Sequence, residues 1–188
     1  MRYRLMKPDL HLQKGASMIE VLVSIFILSF GMLALGAMLS FAVQMPKLSG
    51  YRSTATNLAT AHVERIRANP KGFATDAYTS ALSYDGTFAP IDLNDCEYDP
   101  GCDESTLARM DNAATNQAAR RALPAGGMIL KCDTSPCVAN SFGNLWIVWQ
   151  QPDTYAAIDP KSSDNCPSEV TATYTDPKPR CLYVRFKI

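Results

Sequence analysis

The sequence predicts an α+β protein in which a long N-terminal membrane-spanning helix packs on a C-terminal antiparallel sheet of about four strands. Three observations predict this fold: a charge-free apolar run near the N-terminus, helical periodicity beyond that run, and alternating apolar residues in the last third of the chain. All six cysteines follow the apolar run, which predicts a disulfide-stapled head. We therefore expect three regions, namely a basic segment at 1–15, an N-terminal helix at 16–69 and a globular head at 70–188.

The overall composition excludes few functions, but it argues against a nucleic-acid partner and against enzymatic or metal chemistry. The 188 residues include 18 Lys and Arg and 18 Asp and Glu, so the formal net charge is zero. A general nucleic-acid-binding protein is usually basic, so no nucleic-acid partner is expected. The chain has only two His and no P-loop or dinucleotide-binding glycine pattern. We expect no enzymatic activity, no catalytic residues, no cofactor and no metal site.

The apolar run is long enough to cross a membrane. Residues 1–15 carry a net charge of +3, and the 23 residues from Val21 to Val43 carry no charge. A bilayer core of roughly 30 Å needs about 20 helical residues. Positive charge before the run places the N-terminus in the cytoplasm and the following residues outside the cytoplasmic membrane. The predicted span covers residues 18–43.

Two simpler interpretations of this segment explain less of it. A secretory signal peptide has an apolar region of about 7–15 residues, and Ala34–Ala37 imitates its cleavage site. The run nevertheless continues to Val43. A plain signal anchor explains the length and the charge asymmetry, and a carboxylate in the first helical turn is favoured by the helix dipole. It gives no further reason for Glu20, which is costly at the edge of a spanning helix.

The stretch Lys14–Val23, KGASMIEVLV, resembles the class III signal of type IV pilins and pseudopilins. In that superfamily a short basic leader ends in glycine, and an apolar residue, a small hydroxyl residue, two apolar residues and a glutamate follow. The resemblance implies that residues 1–15 are a prepilin leader, that prepilin peptidase cleaves between Gly15 and Ala16, and that Ala16 is N-methylated. Ala16 stands where these proteins usually have phenylalanine.

The same resemblance implies an assembly role for Glu20. In this superfamily the glutamate at this position is thought to meet the N-terminal amine of a neighbouring subunit. Both the new Ala16 amine and the Glu20 carboxylate would lie at membrane depth. Each charge is expensive alone in hydrocarbon, and pairing offsets part of that cost. A misplaced subunit would leave both charges unpaired.

The helix is expected to continue beyond the membrane with an interruption. Pro46 predicts a kink or a brief break. The following stretch, Tyr51–Ala68, has a less polar face at helical spacing, and Asn69-Pro70 is expected to end it. This face comprises Ala55, Leu58, Ala59, His62 and Ile66. A single histidine on such a face is more often a packing or surface residue than a ligand.

The first part of the head is expected to be loop-like from 70 to 103. Its acidic stretch, Asp92–Glu104, lacks the glycine spacing of an EF-hand, so a solvated loop closed by a disulfide is favoured over a calcium site. A helix at Ser105–Leu123 is expected to end at Pro124. Its predicted inward face comprises Leu107, Met110, Ala114 and Ala118.

Four strands are expected to form an antiparallel meander from about 127 to 188. The second is apolar on both faces and should be central. In the last, alternation predicts that Leu182, Val184, Phe186 and Ile188 point inward, and that Tyr183, Arg185 and Lys187 point outward. The four predicted strands are Gly127–Cys132, Leu145–Gln150, Val170–Thr175 and Leu182–Ile188.

The cysteines are expected to form disulfides, because the head is predicted to lie in the oxidising periplasm. Six cysteines permit 15 connectivities. Short loops favour sequential pairing, in which the last bond closes the longest loop and stabilises most, by about 3 kcal/mol. The spacings include no CxxC motif, so a redox or zinc-knuckle role is not favoured. The expected pairs are Cys96–Cys102, Cys132–Cys137 and Cys166–Cys181.

A second stretch narrows the resemblance. Arg120–Gly127, RRALPAGG, lies before a predicted strand, with LNDC and GCDE upstream and a tryptophan-bearing strand downstream. This arrangement resembles the PilV-type minor pilins. The resemblance implies a protein that primes type IV pilus assembly and is incorporated at or near the tip, supporting twitching motility and adhesion. Implied partners are prepilin peptidase, other minor pilins, the major pilin, the inner-membrane assembly platform and the cytoplasmic membrane.

Two alternatives stay open on the sequence alone. A type II secretion pseudopilin shares the same leader, fold and assembly physics, although pseudopilin heads are often smaller and poorer in cysteine. A membrane-anchored periplasmic enzyme or binding domain is the remote alternative, since the part of the chain after Gly15 has one histidine.

Overall fold

The computed structural model describes residues 15, 17–79, 84–87, 89–90, 102–151, 164–175 and 177–188. The described helices and strands follow one another as α1 (Met18–Ala68), α2 (Pro70–Ala74), α3 (Glu104–Ala122), β1 (Gly127–Cys132), β2 (Phe142–Gln150), α4 (Ser168–Thr173) and β3 (Pro179–Lys187). The chain forms two compact units, Met1–Val43 and Gln44–Ile188. Helix α1 begins in the first unit and ends in the second.

Helix α1 is continuous for 51 residues, with Pro46 inside it. The expected brief break at Pro46 is therefore wrong, whereas the alternative of a kink stays a prediction. An interior proline removes one hydrogen bond and costs about 3 kcal/mol. That cost does not end the helix, because tertiary packing holds the part that follows, beginning with buried Leu48. The end is where the sequence predicts it, at Ala68. The Asn69 side chain then accepts a hydrogen bond from Gly72 N at 3.1 Å and caps α2, which was not expected.

The sheet is an antiparallel meander with the order β1-β2-β3. The prediction that the second strand is central is confirmed. The expected strand at Val170–Thr175 is wrong, because most of this stretch forms the short helix α4. The carbonyl of Pro167 accepts hydrogen bonds from the N–H groups of Val170 and Thr171, and Val170 is the one buried residue of α4. Local hydrogen bonding thus overrides a six-residue alternation.

The main core lies between α1 and one face of the sheet, as the sequence predicts. Phe186 is buried, and Leu182, Val184 and Ile188 pack against the same cluster. The predicted inward face of the last strand is therefore confirmed. The core residues contributed by α1 are Ala55, Ala59, Val63 and Ile66, and those from β1 and β2 are Met128, Leu130, Leu145, Ile147 and Trp149. This packing anchors the distal half of α1 to the head.

Helix α3 has the predicted bounds to within a residue at each end, but its predicted inward face is wrong. Leu107 is 40% exposed, whereas the buried positions are mainly polar. The residues concerned are Ala108, Asn112, Thr115, Asn116, Gln117 and Ala119. A polar face can be buried where its groups find partners. The Asn116 carboxamide does so by accepting from the Met128 N–H at 2.9 Å and donating to the Asn112 carbonyl at 3.0 Å.

Candidate functional site: the exposed half of the N-terminal helix

The predicted maturation residues, Gly15 and Ala16, precede α1 in the chain. Gly15 is exposed, and an added Cβ would meet no atom within 4 Å. Ala16 lies outside the described residues. The Ser17 carbonyl accepts hydrogen bonds from the N–H groups of Glu20 (2.9 Å) and Val21 (3.2 Å), and these bonds form the first turn of the helix. The described helix therefore begins at Met18, three residues after Gly15.

Glu20 lies in the first turn of α1 and is exposed. Its carboxylate has no ion pair with any described residue of this chain. A carboxylate in this turn is favoured by the helix dipole and remains free to meet a cation from outside the chain. This exposed position is compatible with the pairing role that the sequence suggests. The role itself stays a prediction.

The stretch from Met18 to Val43 presents apolar side chains on all sides. Met18 is 82% exposed, and Leu39 is 66% exposed on the opposite end of the stretch. Within the described part of the chain, α1 is one helix that is long and apolar enough to cross a membrane. Apolar surface of this extent marks contact with lipid or with other proteins. A helix that is apolar all round is suited to a bilayer or to the core of a helix bundle.

Two serine hydroxyls in this stretch are satisfied within the helix. Ser24 Oγ donates to the Glu20 carbonyl at 2.7 Å, and Ser29 Oγ donates to the Ile25 carbonyl at 2.8 Å. A hydroxyl bonded to the carbonyl four residues earlier needs no water. The segment can therefore enter an apolar environment without leaving these hydroxyls unpaired.

The described residues of the head contain no cluster suited to a metal ion. Among the described residues, no group of three or more His, Cys, Asp or Glu side chains is placed to hold a metal ion. Most of the acidic stretch Asp92–Glu104 lies outside those residues. His62 is buried against Thr115, in agreement with the packing interpretation.

Two of the three expected disulfides are present, Cys132–Cys137 and Cys166–Cys181. The first closes the turn after β1, and the second ties the segment before α4 to β3. The expected Cys96–Cys102 pair cannot be placed, because Cys96 lies outside the described residues. The head is thus stapled at both ends of its sheet.

Two family models match this chain. The model for Type IV pilin Tt1218 matches residues 37–113, and the prokaryotic N-terminal methylation motif matches residues 10–36. The second match includes Gly15, Ala16 and Glu20. The matches support the type IV pilin superfamily. No curated protein and no solved structure matches the chain at a significant level.

The pilin matches agree with the geometry of α1. A type IV pilin with an N-terminal methylation motif supports a subunit function in a pilus or pseudopilus. This superfamily is structural rather than enzymatic, and its leader implies interaction with the pilus machinery and other pilins. The motif and the apolar helix also fit a membrane-anchored protein. The narrower resemblance to PilV-type minor pilins stays a prediction.

One group of residues in the head could not be found from the sequence. Asp164 and Arg180 form a buried ion pair, joined by Arg52 of α1. Their separation along the chain gives no periodic signal, and a single Arg before a strand resembles a surface residue. The pair is evident only once the fold brings β3 next to α1.

Proposed function

We propose that this chain is a minor pilin of a bacterial type IV pilus. It primes assembly within a complex of minor pilins at or near the tip, and so supports twitching motility and adhesion. One observation carries the proposal. The exposed apolar part of α1 begins at Met18, three residues after Gly15, and has Glu20 in its first turn. This arrangement supports a polymerising subunit rather than a free head.

Maturation is the first proposed step. Prepilin peptidase hydrolyses the peptide bond between Gly15 and Ala16, releases the basic leader, and leaves a new amine on Ala16 that is then N-methylated. The exposure of Gly15 supports this step, because a peptidase needs access to the bond. Before cleavage the chain spans the inner membrane once, with its N-terminus cytoplasmic and its head periplasmic.

Assembly is the second proposed step. The Ala16 amine of an arriving subunit pairs with Glu20 of a neighbour, or the reverse. In hydrocarbon each charge alone is costly, so the free energy favours the register in which they meet. The exposed apolar side chains of α1 then exchange lipid for neighbouring pilin helices. The inner-membrane platform, the major pilin and other minor pilins are the partners in this step.

The first experiment is mass spectrometry of the N-terminus of the protein from its native membrane. The expected N-terminus is Ala16, free or methylated. A Gly15→Leu variant should keep the leader. Gly31→Ala is the matched control, because a Cβ at Gly31 also meets nothing within 4 Å, and this variant should be processed normally. An intact Met1 or a start near Ala37 in the wild-type protein would refute the proposal.

The second experiment tests Glu20 in sheared pili. A Glu20→Gln variant should be cleaved normally, yet its amount in the pilus fraction should fall at least tenfold, because the amine loses its partner. Ser24→Ala is the control, since Ser24 Oγ donates to a backbone carbonyl of its own helix. Equal incorporation of Glu20→Gln and wild type would contradict the pairing.

A type II secretion pseudopilin is the second candidate, because the matches to residues 10–36 and 37–113 are compatible with either machine. The six cysteines and the RRALPAGG stretch favour the minor pilin. Deletion of the gene separates them. Loss of surface pili and twitching supports the minor pilin, whereas loss of exoprotein secretion with intact pili supports the pseudopilin.

A further inference from the structure

The distal half of α1 meets α3 through a polar seam, which we define as His62, Arg65, Tyr78, Asp111 and Thr115. His62 is fully buried in it. Its Nδ1 lies 2.9 Å from Thr115 Oγ1, and its ring meets the Tyr78 ring edge-on with centroids 5.9 Å apart. The only titratable imidazole of the described residues thus lies between two helices and an aromatic ring.

The other polar groups of the seam are already engaged with one another. Arg65 Nη1 donates to Thr115 Oγ1 at 3.3 Å, and its Nε lies 4.0 Å from Asp111 Oδ1. The Tyr78 hydroxyl donates to Asp111 Oδ2 at 2.7 Å. These groups include every titratable side chain that the described contacts place against His62 from α1, from α3 and from the segment after α2. The Asp111 carboxylate therefore interacts with Arg65 and Tyr78, and none of these contacts places it against the imidazole.

The far side of the imidazole has no such support. His62 Nε2 is buried, and no described residue supplies it with a hydrogen-bond partner. A neutral imidazole can carry one unpaired ring nitrogen at moderate cost. An imidazolium would hold a charged N–H donor at Nε2 with no acceptor, out of water and on the same helix as the Arg65 cation. Burial, followed by the charge of Arg65, lowers the pKa of His62 to about 3.

We propose that His62 makes the polar seam an acid-sensitive joint, at which protonation separates α3 from α1. The closed seam excludes the proton. In an opened seam the imidazole reaches water and its pKa returns to about 6.5. The opened state therefore binds one proton more than the closed state below that pH. Stability rises with pH in this window, and acid shifts the equilibrium toward opening by up to tenfold per pH unit.

Thr115 connects α3 to α1 at the acid-sensitive joint. The hydroxyl bridges His62 and Arg65 of α1 from a buried position on α3, so the same contact that orients the imidazole also connects the helices. Opening of the seam, which lets water reach the imidazolium, breaks that contact. Since α3 also supports β1 through Asn116, opening of the seam would loosen the edge of the sheet. A head carried outside the cytoplasm, as proposed above, meets the pH of the medium.

The test uses the full chain in detergent, with His11, the second histidine, replaced by Gln. Trp146 and Trp149 both lie in β2, so tryptophan fluorescence during urea unfolding reports the head alone. The unfolding constant of His62→Gln is the reference, because the amide cannot titrate. Relative to this variant, the constant of the parent chain should increase about tenfold per unit between pH 6 and pH 5. Equal pH slopes in the two chains would overturn the proposal.

A second measurement does not need the variant to fold. The His62 ring protons of the folded parent chain can be followed by NMR between pH 7.5 and pH 4.5. The proposal expects no titration of the closed seam in this range. It also expects faster hydrogen exchange of α3 amides at pH 5, after correction for the intrinsic rate. A midpoint near 6.5 in the folded chain would show a solvated histidine and would refute the joint.

Discussion

Asp164 holds the buried guanidinium of Arg180 inside the head. Arg180 Nε lies 2.5 Å from Asp164 Oδ2, and their side chains are 0% and 5% exposed. Arg52 of α1 reaches Oδ1 of the same carboxylate at 3.3 Å, and the Cys181 N–H donates to Oδ2 at 3.3 Å. One carboxylate thus connects the distal half of α1, β3 and the segment before α4.

Replacing Asp164 with Asn should lower the free energy of unfolding by about 3–5 kcal/mol, because it leaves the Arg180 charge buried without its carboxylate. Urea unfolding of the full chain in detergent, followed by tryptophan fluorescence, measures this loss. Lys71→Ala is the control. Its ion pair with Glu104 is 80% and 51% exposed, so the loss should stay below about 1 kcal/mol. Similar losses in the two variants would contradict the role of Asp164.

Helix α3 should depend more on a buried amide than on its largest apolar side chain. Asn116→Ala removes the acceptor of the buried Met128 N–H and should cost about 1–3 kcal/mol. Leu107→Ala should cost about 0.5 kcal/mol or less, since Leu107 is already half exposed. The same unfolding measurement compares the variants. A larger loss for Leu107→Ala would support the apolar inward face of α3 that the sequence predicts.

Gly143 allows the Phe186 ring to approach β2. A Cβ at Gly143 would lie 2.4 Å from Phe186 Cζ, and the ring is held in the core against Phe73. Gly143→Ala should therefore cost about 1–3 kcal/mol through overpacking. Gly50→Ala is the matched control in α1, where a Cβ meets nothing within 4 Å. It should stabilise the head by up to about 1 kcal/mol. Changes of the same sign in both variants would contradict this explanation.

The two described disulfides should differ in their contribution. Cys166 and Cys181 are 15 residues apart, and Cys132 and Cys137 are five apart. Loop entropy gives about 3 kcal/mol for the longer loop and about 2 kcal/mol for the shorter. The paired serine variant of Cys166 and Cys181 should lose more than this difference suggests, since their bond also fixes the segment that carries Asp164. Thermal unfolding of both double variants measures the order, and the reverse order would refute it.

Elements with a local signal could be predicted well. The ends of α1 and α3 follow from proline and capping residues, and the inward face of β3 follows from strict alternation. The stretch at Val170 could not, because its alternation is short and Pro167 provides acceptors for a helical turn. The inward face of α3 could not be predicted either. Its buried asparagines are favourable only because Met128 and Tyr78 happen to supply partners.

The sequence by itself determined the division of this protein into a basic segment, an apolar helix and a cysteine-containing head. It also predicted the roles of Gly15 and Glu20, because charge, hydropathy and short motifs depend on neighbours along the chain. Only the tertiary structure decided that Asp164 compensates Arg180 and that His62 lies unsolvated between α1 and α3. The physical reason is that desolvation and long-range pairing depend on which groups the fold brings together, and no local pattern records them.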